Sequence, residues 1–172
     1  MAQDAVRFIE TQEGTLEDTT VKVYRSAKVT KGGRHFSFEA LVVVGDRNGT
    51  VGIGYGKANE VPNAVEKGIK DAKKSLQRIP LDGRTIPHQV TGKFGSIRVV
   101  MLPASPGTGV IAGSSARAVL EFAGVQDVLT KVYGSTTAKN VVKATMNGLL
   151  KLRSKEMIAA RRGVEIEVVK RW

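Results

Sequence analysis

Hydrophobic and polar positions alternate with a period of about two residues in the first half of the chain. Strand-forming residues at this spacing occupy 19–29, 36–44 and 50–55. Asn48-Gly49 is a typical hairpin turn between the second and third segments. Glycines at every second position of the third segment, from Gly52 to Gly56, indicate a close backbone contact. The pattern predicts a three-stranded antiparallel sheet that begins near Thr19.

From Val61 the hydrophobic period changes to that of a helix. Apolar residues recur at helical spacing as far as Ile79, and Pro62 lies in the first turn, where proline is tolerated. This predicts a helix with one packed face and an opposite face that is either phosphate-binding or only solvated. The bases that fall together on that opposite face are Lys67, Lys70, Lys74 and Arg78.

A Pro/Gly-containing segment at 80–84 indicates a boundary before a second unit. Residues 87–91 and 96–102 predict two strands joined by a tight basic turn at 92–95. Two helices are expected after them. The residues from Val110 onward lead into the first helix. Ser114 or Ser115 is expected to cap this helix, and Gly124 to end it.

The remaining segments of the second unit are less distinct. Residues 124–133 fit the spacing of a helix, but their residue types and flanking glycines favour a strand, which is our interpretation. A residue within 135–137 is expected to cap the second helix. From Ser154 the pattern predicts a further short helix ending before Gly163.

Composition makes a polyanionic partner the first expectation. The chain of 172 residues has 27 Lys and Arg against 16 Asp and Glu, a formal net charge of +11. Residues 1–18 are the exception, being acidic and aperiodic, and we expect a mobile leader there. The absence of cysteine excludes disulfides and thiolate metal sites, and neither a signal peptide nor an apolar membrane span is apparent. We expect a cytoplasmic protein.

Enzyme signatures are weak. The glycines at 52–56 precede Lys57, but the spacing and the following Ala58 do not fit a nucleotide-binding P-loop. Residues 107–112 do match a dinucleotide fingerprint, with Asp127 downstream, but prolines separate them from the preceding strand. His35 and His88 do not lie at metal-ligand spacing. No catalytic residue, metal or cofactor is predicted.

A basic segment favours RNA instead. Gly32-Gly33 would let the backbone approach a sugar-phosphate chain. Together with the predicted sheet and helix, the segment is typical of a double-stranded-RNA-binding module without its leading helix. Its five bases are Lys22, Arg25, Lys28, Lys31 and Arg34.

Several motifs in collinear order extend this interpretation. They include Lys-Gly-Gly-Arg at 31–34, Pro-Gly-Thr-Gly at 106–109 and Tyr-Gly-Ser-Thr at 133–136. With the segments at 43–46, 52–58 and 60–62, they make the chain resemble, from about residue 19 to 163, the bacterial S-five family of the small ribosomal subunit.

This resemblance implies an α+β protein with two domains. The first, at 19–80, is similar to double-stranded-RNA-binding domains, and a linker at 81–86 follows it. The second, at 87–153, is a two-layer α/β domain with a left-handed β-α-β crossover, and a tail occupies 154–172. The resemblance also implies a structural role in subunit assembly, messenger unwinding and decoding accuracy. The implied partners are 16S rRNA, messenger RNA in its channel, ribosomal protein four at Gly109 and Arg117, and ribosomal protein eight at the tail. The loop at 29–34 would lie beside the spectinomycin site.

The candidate rRNA-binding residues combine the basic segment, its loop and the helix face. They are Lys22, Arg25, Lys28, Val29, Thr30, Lys31, Gly32, Gly33, Arg34, Lys57, Lys67, Lys70 and Lys74. Two alternatives remain open at this point: a free-standing double-stranded-RNA-binding protein, and a nucleotide-dependent enzyme that uses residues 107–112.

Overall fold

The computed structural model describes residues 16–163, and the first of its two sheets contains four antiparallel strands in the order β1-β2-β3-β4. The predicted three-stranded sheet is confirmed, and a short fourth strand adds to it. One helix packs on the sheet. These elements are β1 (Glu17–Thr30), β2 (Gly33–Gly45), β3 (Thr50–Ala58), α1 (Val61–Lys74) and β4 (Gln77–Arg78).

The long hairpin of β1 and β2 starts earlier than its hydrophobic pattern indicates. β1 begins at Glu17, whose carboxylate pairs with Arg47 at 2.8 Å, so two residues of the expected leader belong to the sheet. Residues 1–15 of that leader lie outside the described residues. A β-bulge between Thr20 and Lys22 shifts the register, after which pairing continues without interruption to Thr30 and Gly33.

The helix α1 lies directly on the backbone of β3. A Cβ atom added at Gly54 would lie 2.0 Å from the Gly68 carbonyl oxygen, and one at Gly56 would lie 2.0 Å from that of Ala64. The close approach predicted from these glycines is therefore confirmed. The strand has no side chains on this face at those positions because the helix backbone occupies their space.

The helix ends sooner than its apolar period predicts. α1 ends at Lys74. Arg78, expected on the basic face of the helix, instead lies in β4 and pairs with Thr50 of β3. The Ile79 N–H donates to the Gly49 carbonyl at 2.7 Å, and the Ile79 side chain is buried. Apolar residues at helical spacing thus continue into a segment that tertiary hydrogen bonds hold extended.

The second sheet has the order β5-β6-β8-β7, with β7 parallel to β8 and the other pairs antiparallel. The helix between the two parallel strands completes the expected β-α-β unit. The elements are β5 (Val90–Phe94), β6 (Ile97–Pro103), β7 (Val110–Ile111), α2 (Ser114–Phe122), β8 (Val128–Tyr133) and α3 (Ala138–Leu149).

Two predictions for this unit are wrong in detail. Residues 92–94 form part of β5 rather than a turn, because they pair with residues 97–99 of β6. Glycine is needed at 92 since a Cβ there would lie 2.0 Å from the Ala144 carbonyl oxygen of α3. The strand β7 was not anticipated, because its two residues are too few to show a period.

Helix ends and the ambiguous segment are mostly as predicted. β8 confirms the strand interpretation, Gly124 follows α2 with a left-handed φ of 89°, and Thr137 caps α3. The N-cap of α2, however, is Gly113 rather than Ser114 or Ser115.

The short helix predicted after Ser154 is also present. In α4 (Lys155–Arg162), the Ser154 hydroxyl accepts the Met157 N–H at 3.2 Å, and Gly163 ends the helix. The predicted tail beyond residue 163 lies outside the described residues. Between residues 16 and 163 we find no helix with both the length and the apolar character needed to cross a membrane.

The β2–β3 turn joins the two units through backbone contacts. The Arg47 N–H donates to the Phe122 carbonyl at 3.1 Å, and the Gly49 N–H donates to that of Ala123 at 3.0 Å. A Cβ at Gly45 would lie 2.2 Å from the Phe122 oxygen, and one at Gly124 would lie 2.3 Å from the Arg47 oxygen. Buried residues of both sheets, including Val43 and Val51 of the first and Val99 and Met101 of the second, belong to one apolar cluster. The residues of the first sheet that face α1 form a separate cluster with that helix.

The contact between β3 and α1 can be tested with Gly54→Ala. The added Cβ meets backbone atoms that cannot rotate away, so we expect the free energy of unfolding to fall by about 2 kcal/mol, measured by urea denaturation. Gly32→Ala is the control, because its Cβ would have no heavy atom within 4 Å. Equal midpoints for the two variants would contradict the close contact.

Candidate nucleic-acid interface

The β1–β2 hairpin extends beyond the rest of its sheet. The last pairing of β2 with β3 joins Phe38 to Ala58, so residues 26–37 form a two-stranded ribbon without a third strand. At the usual rise per residue, the ribbon reaches about 17 Å from Ser26 to Lys31. Val29, near its tip, is 71% exposed.

Strand alternation places the basic residues on both faces of the hairpin. Lys22 and Lys28 share one face. Arg25 and Val29 lie on the other face. Arg34 pairs with Val29, so its side chain lies on that face as well. Lys31 lies at the tip. The hairpin therefore presents positive charge in two directions and at its end.

An aromatic residue that is not among the candidate rRNA-binding residues belongs to this surface. The Arg25 guanidinium lies 3.5 Å from the centre of the Phe36 ring, and Phe36 is 45% exposed. The two side chains stack on the same face of the ribbon. A flat, partly exposed pair of this kind can stack against a nucleobase as well as contact a phosphate. The sequence alone offers no signal for this pair, because the common face of residues 25 and 36 follows from the register of β1 against β2.

Carboxylate partners distinguish Lys57 from the hairpin bases. The Lys57 ammonium lies 3.1 Å from Glu39, which also accepts a hydrogen bond from the Tyr55 hydroxyl. These two contacts, led by that of Tyr55, lower the pKa of Glu39. Burial and the Glu39 carboxylate raise the pKa of Tyr55 to about 12. Within residues 16–163, no hairpin base from Arg25 to Arg34 forms an ion pair.

The bases of α1 form a further positive surface. Ala64, Gly68 and Ala72 face the sheet and are buried. The candidate residues Lys67, Lys70 and Lys74 are exposed and lie away from this packed side. Their arrangement agrees with the predicted division of the helix into a packed face and a basic face.

In the second unit, the side chain of Asp127 binds the loop at 107–112 that matches a dinucleotide fingerprint. Its buried carboxylate accepts the N–H of Gly107 at 3.0 Å and that of Gly109 at 2.9 Å, and it pairs with Arg84 at 3.2 Å. The Gly109 N–H is the main cause that holds the pKa of Asp127 below its ordinary value, with help from Arg84. Backbone donors that a nucleotide phosphate would require are therefore already used inside the protein.

Gly109 and Arg117, the candidate protein-contact residues, flank the short strand β7. Gly109 has a left-handed φ of 76° and open space around its Cα. The exposed Arg117 guanidinium donates to the Ala112 carbonyl at 3.1 Å. Gly109 thus directly precedes β7, and Arg117 lies in the first turns of the helix α2 that follows it.

The two histidines are in separate places. His35 is exposed on the hairpin, whereas the His88 imidazole accepts the Arg153 N–H at 3.2 Å. In the described part of the chain, no three acidic or imidazole side chains meet where a metal could bind.

Both units are similar to domains of a known protein family. Family models described as the N-terminal and C-terminal domains of ribosomal protein S5 match residues 16–80 and 92–162. The chain belongs to the ribosomal protein S5 family. The S5 N-terminal match contains the hairpin and α1, and the C-terminal match contains the second sheet from Gly92 onward and its helices.

Two bacterial relatives show how far this similarity extends. The small ribosomal subunit protein uS5 of Syntrophobacter fumaroxidans is 52% identical over 162 residues, which cover 94% of this chain and 98% of the relative. The uS5 protein of Flavobacterium psychrophilum is 53% identical over 154 residues, which cover 90% and 88%. The similarity to these uS5 proteins therefore extends over most of the length of this chain and of each relative, rather than over a single shared domain.

The Asp127 network predicts a pH-dependent effect of Asp127→Asn. The folded-state pKa lies below the ordinary value of 3.8, so the stability that the charge provides is complete above pH 3.8 and is lost as the pH falls through the lower value. We expect the variant to be less stable than the parent at neutral pH and the difference to shrink in acid. Urea midpoints measured at neutral and acidic pH test this.

The exposed Asp18→Asn is the matched control for that measurement. It removes the same charge at a position that forms no ion pair in the described chain, so its midpoint should follow that of the parent. A deficit for Asp127→Asn that stays constant with pH would show that the charge of Asp127 is not what stabilises the loop.

Proposed function

We propose that this protein is a structural, non-enzymatic component of the small ribosomal subunit that binds 16S rRNA mainly through the β1–β2 hairpin. The observation that carries the proposal is the projecting ribbon, whose bases have no carboxylate partner among the described residues. Membership of the S5 family supports the ribosomal role and a place in the cytoplasm, where ribosomes work.

Binding through the hairpin is mainly electrostatic. Lys and Arg side chains neutralise phosphates and release counterions, which gives affinity without base specificity. Gly32 and Gly33 have no heavy atom near their Cβ positions, so nothing within the protein obstructs a close approach of the phosphate chain to the tip. Stacking on Arg25 and Phe36 would add contact with an unpaired base.

The same proposal assigns a role to the remaining candidate surfaces. Lys67, Lys70 and Lys74 contact RNA beside the hairpin, and Arg25 and Lys28 face messenger RNA in its channel. Lys57 contributes less, since Glu39 already neutralises it. In this proposal, the domain expected at 19–80 makes the RNA contacts. The domain expected at 87–153, after the linker, makes contacts with neighbouring proteins.

Neighbouring proteins are assigned to the second unit. Ribosomal protein four contacts Gly109 and Arg117, and ribosomal protein eight contacts the tail from residue 154. Support for the first contact comes from the exposure of Arg117 and the open space at Gly109. The rigid joint at Phe122 would then fix the hairpin at a set distance from these neighbours.

Lys31→Ala and Arg34→Ala test the hairpin. We expect each to weaken binding to a 16S rRNA fragment and to reduce the salt slope of the binding constant by about 0.9 per lost duplex phosphate contact. The measurement is fluorescence anisotropy over a range of salt concentrations. Arg153→Ala is the control, because it removes one exposed positive charge from the second unit.

The slope distinguishes a specific contact from general attraction. Unchanged slopes in both hairpin variants would refute the hairpin contact. Equal effects of Arg153→Ala and the hairpin variants would show that only the net charge matters.

Arg117→Glu tests the proposed protein contact. Charge reversal at an interface replaces attraction by repulsion, so we expect binding to purified ribosomal protein four to weaken by about tenfold. Arg153→Glu reverses a charge elsewhere on the second unit and should leave that binding unchanged. Calorimetric titration measures both, and equal losses would contradict an interface at Arg117.

A further inference from the structure

The outer face of the second sheet is not covered by any helix of residues 16–163. α2 and α3 pack on the inner face, where Ile97, Val99 and Met101 of β6 are fully buried. Alternate residues of the same strand point outward, and Arg98 and Leu102 are exposed. An open sheet face of this kind is available to a partner.

Strand pairing aligns two rows of side chains on the outer face. In the first row, Arg98 pairs with Lys93 on one side and with Tyr133 on the other. In the second row, Val100 pairs with Thr91 and with Lys131. Neighbouring strands lie about 4.8 Å apart, so the members of each row are in reach of a single ligand. We call these two rows the outer-sheet surface.

The charge of this surface has one sign. Its bases are Lys93, Arg98 and Lys131, none of which forms an ion pair among the described residues. The four strands of the sheet contain neither Asp nor Glu. Tyr133 is 49% exposed, although an aromatic ring on a packed sheet is usually covered.

We propose that the outer-sheet surface binds a segment of unpaired RNA, with a base stacked on Tyr133 and the phosphates held by the three bases. An exposed aromatic residue on an open, carboxylate-free sheet face is the arrangement that recognises unstacked bases. This site rests on the proposed ribosomal function for the source of its RNA. Its residues are separate from those of the β1–β2 hairpin.

A third row beside the outer-sheet surface fits the same occupant. Leu129 pairs with Leu102 of β6 and with Ile111 of β7, and all three are exposed by 38% or more. Riboses and base faces can lie on such residues next to the cations. An unpaired strand is favoured over a protein because an exposed tyrosine lies beside Arg98, on the same sheet face as Lys93 and Lys131, and none of these cations has a carboxylate partner among the described residues.

The experiment compares two side chains at one position in the full-length protein. Tyr133→Leu removes the aromatic ring, and Tyr133→Phe keeps it. Binding of a fluorescent single-stranded oligouridylate is measured by anisotropy. We expect Tyr133→Leu to weaken binding by about tenfold, the effect of losing one stacked base, and Tyr133→Phe to bind as the parent does.

Charge variants test the phosphate contacts. We expect Arg98→Gln and Lys131→Gln each to reduce the salt slope by about 0.7, the value for one phosphate of a single strand. Arg153→Gln is the matched control and should leave the slope unchanged. Melting temperatures and circular dichroism verify that all variants are folded.

A duplex probe separates this inference from the hairpin proposal. The outer-sheet variants should bind a 16S rRNA duplex fragment as the parent does, whereas Lys31→Ala should lose affinity for the duplex. Equal affinity of Tyr133→Leu and Tyr133→Phe for oligouridylate would overturn the RNA site, and so would an effect of Arg153→Gln as large as that of Arg98→Gln. If the outer-sheet variants bind RNA normally but lose a ribosomal protein partner, the surface is a protein interface and the proposal is wrong.

Discussion

The fold depends on direct contact between the backbones of helices and strands. α1 lies so close to β3 that its carbonyl oxygens occupy the Cβ positions of Gly54 and Gly56. α3 lies on β5 in the same way, with Gly92 against Ala144 and Gly148. Packing at this distance leaves little freedom to slide, because any displacement brings backbone atoms into collision. Each helix is therefore held in a fixed position on its sheet.

The same type of contact joins the two units. Gly45 and Gly124 lie against carbonyl oxygens of the opposite unit, and two backbone hydrogen bonds close the joint between them. Because the contact uses backbone atoms, rotation of side chains cannot loosen it. A ribbon that projects from the first sheet is consequently held in a defined direction relative to the second unit, and binding to RNA costs less ordering of the protein.

The sequence predicted what depends on local periods and missed what depends on distant partners. The strands of the hairpin, the glycine contact of β3 and the helix α1 follow from periodicity. The early end of α1 and the strands β4 and β7 do not, because each is fixed by hydrogen bonds to another part of the chain. Among candidate site residues, the hairpin bases were identifiable from their density. Phe36 was not, since its stacking on Arg25 appears only when the strand register is known.

The position of the acidic residues determines where the positive charge acts. Glu39 neutralises Lys57, Glu17 pairs with Arg47, and Asp127 binds Arg84 together with two backbone N–H groups. Asp71 accepts the Tyr55 N–H at the edge of β3. Because these carboxylates are used inside the protein, the bases of the hairpin tip and the outer-sheet surface keep their full attraction for phosphate. A net charge of +11 is thus divided between bases that stabilise the fold and bases left for RNA.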